Sequence, residues 1–427
     1  MFTFLVYRLT STMKVSSQGR QINELTGPSL RTNRNFQLLW LSQALSALGS
    51  RASFIALPLL VLTATNSSTQ AGIIGFVMSA AALVARLPGG AFIDRYSRRK
   101  TMLCCNLVRG AAMVLFATAL TAHRPALLLL IVTATIEGAI GGVYASAAMA
   151  SLPSIVTVKQ LPSAVASNQA RAAAAGLAGP PLGGFLFALS HSLPFLANAV
   201  SYTVSFFCIL LIRAPLDTHR TKQEKISLRG LVAGFPFLWS HPFIRDALAV
   251  AAVLNFAFSS IFFAAIVMSV DQGSSSLSTG LIVTFANLGI LVGTLIAPKT
   301  QRIFTPRQLL LAICWITAAL VPLMALNPAT FILGAMIALC TLLAPIANIA
   351  TTTSRLLLTP DHLQGRVYSA AGLIATSAEA LGLLVTGALF DLLHTSTFFV
   401  LAGLFTTLAF AATLSKGLQQ APPAVAP

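Results

Sequence analysis

The sequence predicts an all-α integral membrane protein with twelve transmembrane helices in two pseudo-symmetric six-helix bundles, and three observations carry that prediction. Of 427 residues, 56% are hydrophobic and only 9% are charged, giving a mean hydropathy of +0.83. A soluble domain carries roughly 25% charged residues to solvate its surface, so lipid must solvate most of this chain. Apolar runs of about 20 residues, the length that crosses a bilayer core, recur along the whole sequence. The lysines and arginines gather on one side of the alternation that those runs define.

Glycine, proline and charge clusters bound the spans, which read as 36–63, 70–93, 101–121, 126–149, 163–188, 193–213, 244–270, 276–298, 307–326, 329–352, 368–392 and 396–415. Short connections at 65–69 and 326–328 fit antiparallel neighbours. The alternating ten-residue segments of a β-barrel are absent from the sequence. Residues 1–33 read as a cytoplasmic extension, 214–243 as a cytoplasmic central loop, and 416–427 as a disordered tail. The loop separates a six-span bundle at 34–213 from another at 244–415. The halves echo each other: Leu152-Pro153 followed by Lys159 before the fifth span matches Thr359-Pro360 followed by Arg366 before the eleventh. Two related six-helix halves are the architecture of parallel-repeat carriers.

A net charge of +17 is common among nucleic-acid binders, but its placement assigns it elsewhere. Of the 27 lysines and arginines, all but Arg124 and the intramembrane Arg51, Arg86, Arg109 and Arg171 fall in segments on one side. That side is read as cytoplasmic, facing the anionic inner leaflet, so both termini are expected inside and no nucleic-acid partner is expected. The five cysteines form no CxxC pair and the six histidines no HExxH, so neither a metal nor a disulfide framework is expected. A phosphate-binding G-x-x-x-x-G-K loop is missing, as is any nucleophile–base constellation. Neither an organic cofactor nor enzymatic activity is expected.

Two motifs add chemistry. Between spans two and three stands Gly90-Ala91-Phe92-Ile93-Asp94-Arg95-Tyr96-Ser97-Arg98-Arg99-Lys100. Gly90 lets helices approach closely, Asp94 offers an acceptor for a neighbouring helix N-terminus, and the basic cluster holds the loop at the inner face. Span five contains Gly179-Pro180-Pro181-Leu182-Gly183-Gly184, where proline bends the helix and small residues permit close contact. A generic packing face is the bland alternative for the second motif.

The first motif resembles the loop G-x-x-x-D-R-x-G-R-K/R of the major facilitator superfamily, with Ser97 in place of its second glycine. The second resembles the G-P-x-x-G-G motif of the superfamily's antiporter branches. Further similarity, at Asn35-Phe36, Leu39-Trp40, Gln43 and Leu363-Gln364-Gly365-Arg366, is to the drug/macrolide-efflux and enterobactin-exporter branch. The resemblance implies that Asp94 ties the N-terminal half to span eleven in one state of a transport cycle. In the loop between spans eight and nine, Gly293 is kept and Ala297 replaces the acid. The R-x-x-Q-G-x-G pattern of drug–proton antiporters is broken in span four, where Glu137-Gly138 has no arginine before it.

A mid-span Asp, Lys or Arg costs about 2.5–3.5 kcal/mol, so such residues face a cavity or a partner. Arg51 and Glu137 lie near the middle of spans one and four, and are expected to form a pair or a binding site. Glu137 could take a proton or a cationic substrate; a structural ion pair is the alternative. Glu379 in span eleven is either a proton site or a partner for Arg86. Arg109 and Arg171 read as snorkelling residues nearer the cytoplasmic ends. Phe54, Asn255, Phe256, Phe258, Phe262, Phe263 and Asn348 are the expected cavity wall, suited to a hydrophobic or amphipathic substrate.

Together these features lead to a monomeric secondary transporter of the cell (plasma) inner membrane. It would export a hydrophobic drug, antibiotic or secondary metabolite by proton antiport. Uptake or lipid flipping by the same fold, and a non-transporting sensor or scaffold, are the alternatives.

Overall fold

The structure, a computed structural model, describes residues 29–122, 127–216, 235–326 and 328–419. Residues 1–28 of the expected N-terminal extension, most of the central loop and the end of the tail lie outside the described residues. The side chains of 86–95 lie outside them too, and with these the expectations for Arg86, Gly90, Asp94 and Arg95.

Among the described residues, twelve long helices make up the fold: α1 (Arg34–Thr65), α2 (Ser68–Arg95), α3 (Arg98–Ala122), α4 (Leu127–Ser151), α5 (Leu161–Leu189), α6 (Leu193–Leu210), α7 (Pro242–Asp271), α8 (Ser276–Ile303), α9 (Pro306–Met324), α10 (Thr330–Leu358), α11 (Asp361–Leu393) and α12 (Thr397–Leu414). Local chemistry sets their ends. The Asn33 side chain accepts the Phe36 N–H at 3.1 Å to cap α1, and Thr305 with Gln308 forms a reciprocal capping box at α9. Pro242 and Pro306 sit in first turns, where a missing N–H costs nothing. α7 stops where Gly273 takes a φ of 69°, which lets its N–H and that of Ser274 bond back to Val270 and Ser269.

Among the described residues, eleven stretches are long and apolar enough to cross a membrane, and the last, Val367–Leu414, has 48 residues. At 1.5 Å per residue it would measure roughly 72 Å, against a hydrocarbon core of about 30 Å. It must therefore cross twice, and the chain reverses at His394 with φ 49° and ψ −131°. One expectation is corrected at the C-terminus. Lys416–Gln419 is a helical turn, not the start of a disordered tail, with Leu418 fully buried. The Ser415 hydroxyl donates to Asp246 Oδ2 at 2.6 Å and seats the turn against the start of α7.

The packing repeats across the two halves. α1 packs on α5 and α6, α2 on α4, and α3 on α4 and α6; α7 packs on α11 and α12, α8 on α10, and α9 on α10 and α12. Adding six to each number in the first set gives the second, so the chain is two copies of one six-helix unit. The contacts between halves obey the same rule, with α2 against α11 and α5 against α8.

Those inter-half contacts lie at the end of the molecule away from the basic residues. The Asp391 carboxylate of α11 accepts the backbone N–H groups of Ser68 at 2.7 Å and Thr69 at 2.9 Å at the start of α2. A Cβ on Gly184 would strike the Ser276 carbonyl of α8, and one on Gly280 would lie 2.5 Å from the Pro180 carbonyl of α5. The glycines of the span-five motif therefore bring helix backbones together on two sides, since Gly179 and Gly183 press on α1 at Arg51 and Ala52. Lipid supplies no hydrophobic drive between helices, so such close packing holds them together. Gly183→Val is expected to cost about 1–3 kcal/mol through overpacking, because the Ala52 carbonyl it meets is backbone and cannot swing away. Thermal unfolding in detergent reads this as a loss of several degrees. Gly372→Val, at a position with nothing within 4 Å, should leave the midpoint nearly unchanged.

Candidate functional site

Two cavities open at the basic end, one in each half. The N-terminal one, about 580 Å³, is walled by the middle of α1 and α2, by Arg109 of α3, by the second half of α4 and by the first half of α5. The C-terminal one, about 410 Å³, lies between the start of α7, the end of α10 and the start of α11. A small apolar junction, where Phe54 and Pro58 of α1 meet Phe262 and Ile266 of α7 and Leu383 of α11, closes the far side.

The wall of the larger cavity holds a buried polar cluster. Arg109 Nη2 donates to Glu137 Oε2 at 2.7 Å, with the two side chains only 6% and 8% exposed. Arg109 also donates to the Ser50 hydroxyl at 3.1 Å, and its guanidinium lies 4.2 Å from the centre of the Tyr202 ring. The Tyr202 hydroxyl donates to the same carboxylate, 2.8 Å from Oε2 and 3.0 Å from Oε1, and accepts from Asn198 at 3.2 Å. Removing an ion pair from water is costly unless its remaining hydrogen-bonding capacity is filled. Here α1, α3, α4 and α6 all contribute to filling it. Gly141, one turn after Glu137, leaves room for the guanidinium, which lies 3.5 Å from where its Cβ would be.

The expected Arg51–Glu137 pair is thereby corrected: Glu137 is matched by Arg109. Arg109 does not snorkel either, because it sits eleven residues into α3, level with the middle of α4. The arginine that the antiporter pattern would place on span four is missing there, and α3 presents one to the same helix. The signal that could have found it was depth, since 109 and 137 lie at similar distances from the basic end. Arg51 is exposed into the N-terminal cavity. Glu379, also exposed, is the carboxylate whose charge acts on it from the opposite half. Arg171 is a cavity residue too, donating to Gln43 Oε1 at 2.9 Å.

The expected wall residues divide by place. Phe54 lines both the larger cavity and the apolar junction, Asn255 and Asn348 line the smaller cavity, and Phe262 and Phe263 form part of the junction. Phe258 is corrected: it packs edge-on against Phe405 of α12, ring centres 5.9 Å apart, on the side away from the cavity. Phe256 packs into the core with its carbonyl against Gly382 of α11. In the loop motif, Arg98 is 6% exposed and donates to the carbonyls of Ala150 at 2.7 Å and Leu216 at 3.1 Å. It satisfies orphan carbonyls at the end of α4 and beyond α6, where an interfacial role was expected. Arg99 caps the Leu210 carbonyl of α6, and Lys100 is exposed.

Two repeated six-helix units, cavities opening at one end and contacts closing the other define a polytopic membrane carrier. The model of the Major Facilitator Superfamily matches residues 39–383, and the chain belongs to that superfamily: it is a multi-pass membrane transporter and not an enzyme. It is 24% identical over 362 residues to the enterobactin exporter EntS of Citrobacter koseri, spanning 84% of this chain and 86% of that protein. It is 26% identical over 392 residues to the multidrug efflux pump Tap of Mycolicibacterium fortuitum, spanning 84% and 90%. Among solved structures, the nucleoside transporter NupG matches with a TM-score of 0.70 at 14% identity, over 91% of this chain and all of that one. A bacterial homologue of the iron transporter ferroportin matches at 19% identity. Its inward-facing state gives a TM-score of 0.69 over 92% of this chain and 100% of that one, and its outward-facing state 0.58 over 89% and 97%.

Proposed function

We propose that the chain is a secondary exporter of a hydrophobic or amphipathic small molecule, such as a drug, antibiotic or secondary metabolite, driven by inward proton flow. It works as a monomer in the cell inner membrane, without an organic cofactor, with both termini cytoplasmic and lipid as its solvent. The observation that carries this reading is the Arg109–Glu137–Tyr202 cluster in the cavity wall. Glu137 is paired there with Arg109 across α3 and α4. When a proton reaches it, the pair loses its Coulomb energy and α3 and α4 are released from each other. Cargo and proton therefore compete for one arrangement of the wall, which is the requirement for exchange. Alternating access follows from rocking of the two halves about the midplane.

The direction is supported by EntS and Tap, both exporters by name. With the basic end taken as cytoplasmic, both cavities open inward, the loading state of an exporter. The better fit to the inward-facing than to the outward-facing ferroportin homologue agrees with that state. Expression in a pump-deficient bacterium tests the proposal with a panel of hydrophobic dyes and antibiotics. Reduced accumulation of at least one compound, restored to the control level by a protonophore, is the expected result. Increased accumulation would mean uptake. Unchanged accumulation of every compound, with the protein correctly inserted, would leave a non-transporting role.

A further inference from the structure

We propose that the cargo is an amphipathic anion, bound through its acidic group by guanidinium groups lining the two cavities; this rests on the transport reading and names its substrate class. Among the described residues lining the larger cavity, Glu137 is the one acid, and Arg109 already neutralises it. Arg51 and Arg171 line the same cavity, and Arg355 lines the smaller one, whose described lining holds no acid at all. Their partners are neutral, Glu379 apart. Arg171 donates to the amide oxygen of Gln43 at 2.9 Å. Arg355 donates to the Thr352 hydroxyl at 3.4 Å and lies 5.9 Å from the centre of the Tyr368 ring. Glu379 offsets at most one of the three cations. Among the described residues, the cavity surface therefore carries uncompensated positive charge.

The three groups are also spaced in depth. Arg355 is three residues from the basic end of α10, Arg171 ten residues into α5, and Arg51 seventeen residues into α1. At 1.5 Å per residue these lie roughly 5, 15 and 26 Å along their helices, forming a ladder from mouth to floor. A cleft of one sign of charge with low-dielectric walls focuses its field and concentrates counter-ions. The planar guanidinium fork matches a carboxylate or another oxyanion with two parallel hydrogen bonds. The apolar body of such a molecule finds Phe54 and Leu57 at the inner end of the ladder. A cation in the same place would meet like charge at Arg171 and Arg355, with Glu379 offsetting Arg51 alone. An inside-negative membrane potential itself favours outward movement of an anion.

Two xanthene dyes of similar shape and opposite charge separate the possibilities: fluorescein, an anionic carboxylate, and rhodamine 6G, a cationic ester. Equilibrium binding to the purified full chain in detergent, read by fluorescence polarisation, is expected to favour fluorescein at least tenfold. Arg171→Gln should weaken fluorescein about tenfold and leave rhodamine 6G unchanged or tighter, while Arg171→Lys should retain most of the binding. Arg355→Gln, near the cavity mouth and away from the helix core, gives the same test should Arg171→Gln not fold. Equal affinity for the two dyes, preference for the cation, binding of neither, or equal loss of both in the variants overturns the inference. Flux is measured separately in proteoliposomes with an imposed proton gradient. Selective fluorescein binding without proton-driven flux sinks the proposed function and spares this inference. Proton-driven export of rhodamine 6G without anion preference does the reverse.

Discussion

Arg109→Gln alone is expected to destabilise the protein by about 3–5 kcal/mol, the cost of leaving one partner of a buried ion pair uncompensated. The stranded group would be Glu137, whose side chain is 8% exposed and whose remaining donor would be the Tyr202 hydroxyl. Glu137→Gln should cost less, because Arg109 keeps the Ser50 oxygen and the Tyr202 ring and a glutamine oxygen can still accept. The double variant Arg109→Gln with Glu137→Gln should regain most of the lost stability, since replacing both charges removes the penalty of an orphan. A double-mutant cycle on thermal unfolding in detergent measures the coupling directly. Transport should not recover with stability. Proton-driven flux is expected to fall at least tenfold in Glu137→Gln and to stay low in the double variant, because the carboxylate that pairs α4 with Arg109 of α3 is gone in both. A double variant that transports like the parent would reduce the cluster to a structural rivet and remove proton exchange from this site.

The contrast between Arg51 and Arg109 shows which part of such a site is legible in a sequence. The spans, their order and the excess of basic residues on one side follow from composition and run length, because a bilayer imposes a fixed thickness on every crossing. The repeat is visible in two proline-containing loops, and the structure extends it to the whole packing scheme. Depth along a helix is likewise readable: Arg51, Arg109, Glu137 and Glu379 are all recognisable as intramembrane charges. Azimuth is not. Each residue turns a helix face by about 100°, and which face meets which neighbour depends on helix adjacency that pairwise contacts decide. Glu137 lies beside α3 and α6, so Arg109 and Tyr202 reach it, while Arg51 on α1 turns into the cavity. Phe258 fails for the same reason, two residues from Phe256 and turned toward α12. Arg98 looked interfacial from its basic neighbours, yet it is drawn inward by the Ala150 carbonyl at the end of α4 and the Leu216 carbonyl beyond α6, which only the fold brings together.

Asp391→Ala is expected to shift the carrier toward a state open at the far end, by about 1–2 kcal/mol or 5–30-fold in population. α2 begins at Ser68 after a two-residue break, so its first N–H groups have no partner within the helix. One carboxylate from the other half serves them: Oδ1 takes the Ser68 N–H at 2.7 Å, and Oδ2 takes the Thr69 N–H at 2.9 Å and the Ser67 hydroxyl at 3.0 Å. A negative charge at the positive end of a helix dipole adds to those bonds. Every one of them joins the start of α2, or the residue before it, to α11 and exists only while the far end is closed. Gly72 and Gly387 lie beside this contact and let the two backbones approach, a Cβ on Gly387 falling 2.5 Å from the Ser68 carbonyl. Asp391 is solvent-exposed, so water replaces its partners on opening, which holds the expected effect to the lower part of the range for charged hydrogen bonds. Asp391→Asn, which keeps the acceptor and loses the charge, should fall between. Spin labels at Ala64 and Ser396, both exposed at the far end, give the readout in a background with the native cysteines replaced. The inter-half distance should gain a longer component in Asp391→Ala and less of one in Asp391→Asn. A distribution identical to that of the parent in both variants would mean that the Asp391 carboxylate does not hold the far end shut. The packed backbones of α2 with α11 and α5 with α8 would then carry the closure alone.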